Sequence, residues 1–347
     1  MDLVNHLEGR LLFAVPKSES LSLSLCPQTL LLPAVESELT SRSRPEGRLN
    51  QAALNLLEGA DIQFRRENRL DLALVKNLPI ALVFLPAADI PTFVGQGRVD
   101  LGITGWDQIQ EHDAGVRASA LQRGVEFTTG GCDMVMDLAF GGCKLQVQVP
   151  EKGEYRTGKD LIGKTIGTSF VGLAADYFAK LEAEQDGDTS SPGKRVLKTQ
   201  IIELSGSVEA ACALGVAEGI VDLVESGETM RAAGLKAIDT VVESTAVLIK
   251  SQNPSNPETL ELIASRIRGV ITAQKYVLCQ YNIQRAQLAE ATKITPGKRA
   301  ATVTALDDDG WVAVSSMVES KKIALVMDDL SRVGAQDILV LDIHNAR

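Results

Sequence analysis

Histidine and cysteine are both scarce in this chain. Its 347 residues include three histidines, His6, His112 and His344, and five cysteines, Cys26, Cys132, Cys143, Cys212 and Cys279. The histidines are too widely spaced to form a metal motif. The cysteines are odd in number, scattered and without a C-x-x-C pair. This argues against a disulfide framework and a zinc site, and suits a reducing, cytoplasmic setting. No G-x-S-x-G elbow and no loop ending in G-K-[ST] is present. Basic residues are also in deficit: 35 Lys and Arg face 45 Asp and Glu, a net charge of −10. Nucleic-acid affinity depends on cations against phosphates, so no nucleic-acid partner is expected. An anionic ligand must be held by local geometry. No stretch reaches the roughly 20 apolar residues of a membrane span. The longest charge-free run, Ser20 to Val35, is broken by Pro27 and Pro33 and follows Asp2, Glu8 and Glu19, so it makes a weak signal peptide. No membrane partner is expected.

What is present is an ordinary globular composition, 45% hydrophobic and 23% charged. The length suits about two to three domains. Leu11 to Val15 reads as a buried strand, and Leu49, Ala52, Ala53, Leu56 and Leu57 recur at helical spacing. Leu78 to Leu85 reads as a strand, followed by a short helix that Asp89 caps and Pro91 opens. Leu145 to Val149, Thr165 to Gly167 and Gln200 to Leu204 read as strands, with a helix from about Val171 to Glu184. This alternation predicts parallel sheets covered by helices. After Pro257 a helix is expected around Leu260 to Thr272, and from Tyr276 the order strand, helix, strand, strand, helix, strand predicts a ferredoxin-like unit. It carries no Gly-rich phosphate loop, which points to regulation or assembly. Ser18 to Glu46 has no clean period and reads as an irregular loop or insertion.

Residues 97–105, G-R-V-D-L-G-I-T-G, and 219–227, G-I-V-D-L-V-E-S-G, place Gly, Asp and Gly at matching offsets. This suggests two α/β lobes, each ending a strand at a loop that faces ligand. In the second copy, Asp222 is placed for ribose hydroxyls or a metal-bound water. The turn Glu225-Ser226-Gly227-Glu228-Thr229 leads into a helix expected from Met230. Free amides and hydroxyls at such a turn hold phosphate; equally, Ser226 and Thr229 can simply cap the helix.

The run S-G-S-V-E-A-A-C-A-L-G-V-A-E-G-I-V-D-L-V-E-S-G-E-T-M-R-A-A-G-L resembles the phosphoribosyl-diphosphate (PRPP) signature of the ATP phosphoribosyltransferase family. L-L-F-A-V-P-K, L-P-A-A-D-I-P-T-F-V-G-Q-G-R-V-D-L-G-I-T-G-W-D, F-G-G-C-K-L-Q-V-Q-V-P and L-I-G-K-T-I-G-T-S-F follow the same family. So do R-I-R-G-V-I-T-A-Q-K-Y, I-T-P-G-K-R-A-A-T-V, W-V-A-V-S-S-M-V and G-A-Q-D-I-L-V, which resemble the regulatory domain of its long form.

The resemblance implies two lobes like a periplasmic binding protein plus an ACT-like third domain. The implied lobe I is 1–113 with 232–262, regaining the chain through Thr240 to Val242 and Ala246 to Ile249. Lobe II is 114–231, and the regulatory domain is 263–347. The implied reaction is attack of adenine N1 of ATP on C1 of PRPP, with Mg2+ on the departing pyrophosphate. This would be the first step of histidine biosynthesis, inhibited by histidine, in a homo-oligomer of two to six chains. The resemblance puts Glu225, Ser226, Gly227, Glu228 and Thr229 around the 5-phosphate, with Glu209 and Asp222 at the ribose. Lys17, Gly47, Arg48 and Arg69 would meet ATP or phosphate charge, and Gly105 and Asp107 would line the facing loop. Asn282, Lys298, Thr302, Met317 and Asp337 match the histidine pocket. No resident protein metal site is implied.

Two segments depart from the family pattern: Ser18 to Glu46, and about Val116 to Asp133, which has little regular pattern. Two other readings compete. One is an ACT-linked prephenate dehydratase-like enzyme, which would need no phosphate cradle. The other is a non-catalytic amino-acid-sensing partner.

Overall fold

The computed structural model describes residues 7–17, 49–66, 70–186 and 197–347. The insertion at Ser18 to Glu46, Gly47, Arg48 and Arg69 lie outside these residues. The first elements are β1 (Leu11–Pro16), α1 (Asn50–Gly59), β2 (Leu72–Leu74), β3 (Ile80–Leu85), α2 (Ile90–Gly95), β4 (Leu101–Gly105), α3 (Trp106–Gln122) and β5 (Cys132–Asp137). Next come β6 (Cys143–Pro150), β7 (Thr165–Thr168), α4 (Val171–Asp186), β8 (Gln200–Glu203), α5 (Ala210–Ala213), β9 (Gly219–Val224), α6 (Glu228–Ala232), β10 (Leu235–Ser244) and β11 (Ala246–Ser251). The last are α7 (Pro257–Lys275), β12 (Tyr276–Gln284), α8 (Leu288–Ile294), β13 (Thr302–Ala305), β14 (Trp311–Glu319), α9 (Ile323–Arg332) and β15 (Gln336–Asp342).

The chain divides into two compact units: residues 1–54 with 64–257, and 55–63 with 258–347. The first unit holds two sheets, ordered β2-β3-β1-β4-β11-β5 and β10-β6-β9-β7-β8. In each, one central strand has a parallel neighbour on one side and an antiparallel neighbour on the other. For β4 these are β1 and β11; for β9 they are β7 and β6. The lobes therefore repeat, as the sequence suggests. The G-x-x-D motif is not in structural register, however. Asp100 precedes β4, where it is buried and accepts the N–H of Leu12 at 2.8 Å and of Ser255 at 2.5 Å. Asp222 lies inside β9.

Sheet membership corrects the lobe boundaries expected at 113/114 and 231/232. β5 belongs to the first sheet, so the chain leaves that lobe between Asp137 and Cys143. β10 pairs with β6 over its whole length, so Thr240 to Val242 belong to lobe II. The return comes at Ala246. The 116–133 segment is also more regular than expected, because α3 continues to Gln122. The α2 start differs as well: Pro91 sits in its first turn, but the Asp89 side chain makes no capping bond.

Each lobe has its own core. Ala14, Ile90, Val94, Ile109, Val247 and Ile249 fill the first, and Leu145, Val147, Ile166, Phe178 and Val221 the second. Burying such aliphatic side chains supplies the main stabilising term, about 1.5–3 kcal/mol each.

In the second unit the strands order as β13-β14-β12-β15, all neighbours antiparallel. This is the expected ferredoxin-like arrangement. Along β12 and β14, buried and half-buried residues alternate strictly. Val277, Cys279, Tyr281 and Ile283 therefore face the core with Val312, Val314 and Val318. Among the described residues, no helix is long and apolar enough to cross a membrane.

A phosphate-loop site at the end of β9

The site begins where β9 ends. After Val224 the chain turns through Glu225, Ser226 and Gly227 and enters α6 at Glu228, two residues before the start expected from sequence. Gly227 makes this turn with φ +75°, a left-handed conformation that side chains resist. The Ser226 hydroxyl accepts the Glu228 N–H at 3.3 Å within the turn; the N-cap itself is Gly227, and no side chain makes the capping bond expected of Ser226 or Thr229. The amides of Ser226, Gly227 and Thr229 have no hydrogen-bond partner among the described residues. They border a cavity of about 230 Å³ lined by Cys143 and by Leu223 through Met230. The Ser226 bond uses one amide only, which leaves the other three open to the cavity.

Asp222 enters from β9, half-buried. Its carboxylate accepts the Leu223 N–H at 2.8 Å, and its carbonyl accepts Gln148 Nε2 at 3.2 Å. Burial, with the nearby negative charge of Glu209 as a smaller cause, pushes its pKa up to about 6. Glu209 stands at the N-cap of the four-residue helix α5, behind the turn Ser205-Gly206-Ser207. Ser207 has a positive φ of 48°, unusual for a residue with a side chain. Glu209 is thus close enough to act on Asp222 electrostatically, and Asp222 lies on the strand that leads into the 225–229 loop; neither residue lines the loop's cavity. Among the described residues no three His, Cys, Asp or Glu side chains converge as a metal site. Glu209 and Asp222 still fit a cation carried by a ligand, because their mutual repulsion is what a bound cation relieves.

A second cavity, about 370 Å³, connects Glu225 to Ser244 and Thr245 at the crossing between lobes. Gly105 and Asp107 meet that crossing. Trp106 N–H donates to Thr245 O at 2.9 Å. Asp107 is fully buried: its N–H donates to Ser244 Oγ at 2.9 Å, and its carboxylate accepts from the Ser244 hydroxyl and from Gln108 at 2.7 Å. Asp107 is therefore an internal anchor, which corrects the expectation that it lines the facing loop.

At the end of β1, Lys17 Nζ lies 2.8 Å from Asp71, and Arg66 lies 3.6 Å from the same carboxylate. Arg66 is stacked 4.1 Å from the Phe84 ring centroid, which fixes its guanidinium. Sequence reasoning missed Arg66; its only signal was the basic pair Arg65-Arg66, and the stacking partner lies 18 positions away.

The five expected histidine contacts do not form one cluster. Asn282 Nδ2 donates to Asp337 at 3.0 Å across β12 and β15. Thr302 lies on β13, the opposite edge, with β14 and β12 between. Three strand spacings put it about 14 Å from Asp337, more than one bound histidine spans. Met317 pairs with Leu278 on the next strand, and Lys298 sits exposed in the loop before β13.

The model of the family described as ATP phosphoribosyltransferase matches residues 86–269, and that of the HisG C-terminal domain matches 273–345. An ATP phosphoribosyltransferase from Yarrowia lipolytica is 55% identical over 347 residues, covering 100% of both chains. One from Saccharomyces cerevisiae is 51% identical over 348 residues, again covering 100% of both. A solved ATP phosphoribosyl transferase (HisG:HisZ) complex from Thermotoga maritima aligns with TM-score 0.48 and 19% identity, over 74% of this chain and 96% of that one. By its family-model matches and by its full-length identity to these relatives, this chain belongs to the ATP phosphoribosyltransferase family.

Proposed function

We propose that the chain transfers the phosphoribosyl group of PRPP to N1 of ATP, releasing pyrophosphate and forming 1-(5-phosphoribosyl)-ATP, the first step of histidine biosynthesis. Family membership displaces the prephenate dehydratase alternative. The observation that carries the proposal is the set of unpartnered amides around Gly227, open to a cavity of about 230 Å³.

In this reaction the N1 lone pair forms a bond to C1 as the C1–O bond breaks, and its electrons leave on pyrophosphate. No covalent enzyme intermediate is required, so the protein's work is positioning and charge stabilisation. The amides of Ser226, Gly227 and Thr229 and the Thr229 hydroxyl hold the 5-phosphate. Ionised Asp222, with Glu209 beside it, accepts from the ribose hydroxyls and so fixes C1. Lys17, held by Asp71, and Arg66, held on Phe84, offer positive charge for phosphate. Mg2+ carried on pyrophosphate oxygens would lower the charge of the leaving group, with Asp222 and Glu209 the carboxylates that suit it. Histidine inhibits through the C-terminal unit, with Asn282 and Asp337 its anchoring pair, by shifting a two-state equilibrium. Assembly as a homo-oligomer and a cytoplasmic setting belong to the same proposal.

The test is pyrophosphate release with ATP, PRPP and Mg2+, with and without histidine. Release that needs both substrates supports the reading. A chain that binds histidine but releases no pyrophosphate would be a sensing partner instead.

A further inference from the structure

The loop that is to hold a phosphate dianion is itself acidic. Among the described residues, its cavity is lined by Glu225 and Glu228 and by no basic side chain, and Asp222 lies on the strand that leads into it. The nearby Lys144 is held by Glu243 at 2.7 Å. A five-residue helix contributes too little dipole to offset this charge.

Among the described residues, one cation reaches the loop. From α6, the exposed Arg231 folds back so that Nη2 donates to Ser226 O at 3.2 Å. Its Nη1 lies against Gly227: a Cβ built there would stand 2.8 Å from it. The Arg231 amide meanwhile donates to Gly227 O at 3.0 Å. Main chain and side chain of one residue therefore grip both sides of the left-handed turn. Glycine is favoured at 227 by its φ of +75°, and the guanidinium lies over the face of the turn that a side chain would otherwise share.

We infer that Arg231 is a positioning residue for the sugar phosphate: it pins the Ser226–Gly227 turn with its amides facing the cavity and supplies the positive charge that the acidic loop lacks. This rests on the reading of the loop as a PRPP site. The guanidinium fork matters as well as its charge, since one nitrogen bonds the carbonyl while another covers Gly227.

The test compares Arg231→Gln and Arg231→Lys with the unaltered chain in the pyrophosphate assay. Loss of a charged hydrogen bond and of the local cation should raise KM for PRPP about tenfold in Arg231→Gln, with KM for ATP changed less than about twofold. Arg231→Lys restores charge without the fork and should fall between the two. Steeper weakening of PRPP binding by salt in the unaltered chain than in Arg231→Gln is the second readout, which a merely structural role would not move. KM for PRPP unchanged in Arg231→Gln, or KM for both substrates raised equally, overturns the inference while leaving the function intact. An unaltered chain that releases no pyrophosphate overturns both.

Discussion

Glu111 accepts the N–H groups of Gly172 and Leu173 at 2.7 and 2.8 Å, so a carboxylate on α3 of the first lobe caps α4 of the second. The contact is tight: a Cβ at Gly172 would stand 2.8 Å from the Ala114 methyl. Arg117 extends it by pairing with Asp176 at 3.1 Å. The Glu111 carboxyl has a raised pKa, chiefly because it is buried, even though the two amides act the other way. Glu111→Ala removes the cap and leaves both amides buried without a partner. We expect a loss of about 1–2 kcal/mol in urea-induced unfolding, and a smaller loss in Glu111→Gln. Unchanged stability in Glu111→Ala would show that the cap contributes nothing.

Asp222 should make the enzyme sensitive to mild acid. Its folded-state pKa, about 6, lies above the ordinary 3.8, so the fold binds its proton more tightly than the unfolded chain does. Ionising Asp222 therefore costs stability, a cost absent below pH 4, growing between 4 and 6 and constant above. Asp222→Asn removes it and should stabilise the free protein at pH 7 by on the order of 1–2 kcal/mol, the difference fading toward pH 4. Activity should behave in the opposite way. kcat/KM for PRPP should fall as pH drops through about 6, when Asp222 gains its proton and loses an acceptor for ribose. A pH profile lacking that limb would remove Asp222 from the ribose site.

Thr229 tests the cradle separately from its charge. Thr229→Ala deletes a hydroxyl at the cavity while leaving the backbone amide. KM for PRPP should rise by about tenfold or more with little change for ATP, as expected for one lost hydrogen bond to a charged group. Steady-state kinetics with each substrate varied in turn decides this. Equal weakening of both substrates would place the phosphate elsewhere.

In the C-terminal unit, a buried polar chain ties sheet to loop. The Tyr281 hydroxyl lies 2.7 Å from Thr295 Oγ1, Thr295 Oγ1 donates to Ala291 O at 3.2 Å, and Ser316 Oγ donates to Thr295 O at 3.0 Å. Tyr281 and Thr295 are almost wholly buried. Tyr281→Phe leaves the Thr295 hydroxyl one partner short and should lower stability by about 1 kcal/mol in denaturant titration. Thr295→Val, which leaves the Tyr281 hydroxyl buried and unpaired, should cost more. The reverse order would show that water replaces the lost partner.

The sequence by itself determined the features that depend on neighbours along the chain. The alternation along Tyr276 to Gln284 and Trp311 to Glu319 specifies which face of the third sheet is buried. The Gly227 turn followed by a helix is likewise local, because a left-handed residue and the next turn of helix are set by a few adjacent positions. Tertiary structure decided what depends on distant partners. β10 joined the second lobe because it pairs with β6 some ninety positions earlier, and β5 joined the first by pairing with β11; the short-range pattern of either strand suits both sheets. Asp107 looked like a ligand-facing acid and is instead bound to Ser244, 137 positions away. Thr302 and Asp337 looked like one pocket until strand order put them on opposite edges. Strand order and long-range hydrogen bonds are chosen by the free energy of the whole packed core, and a local window of sequence carries no record of that choice.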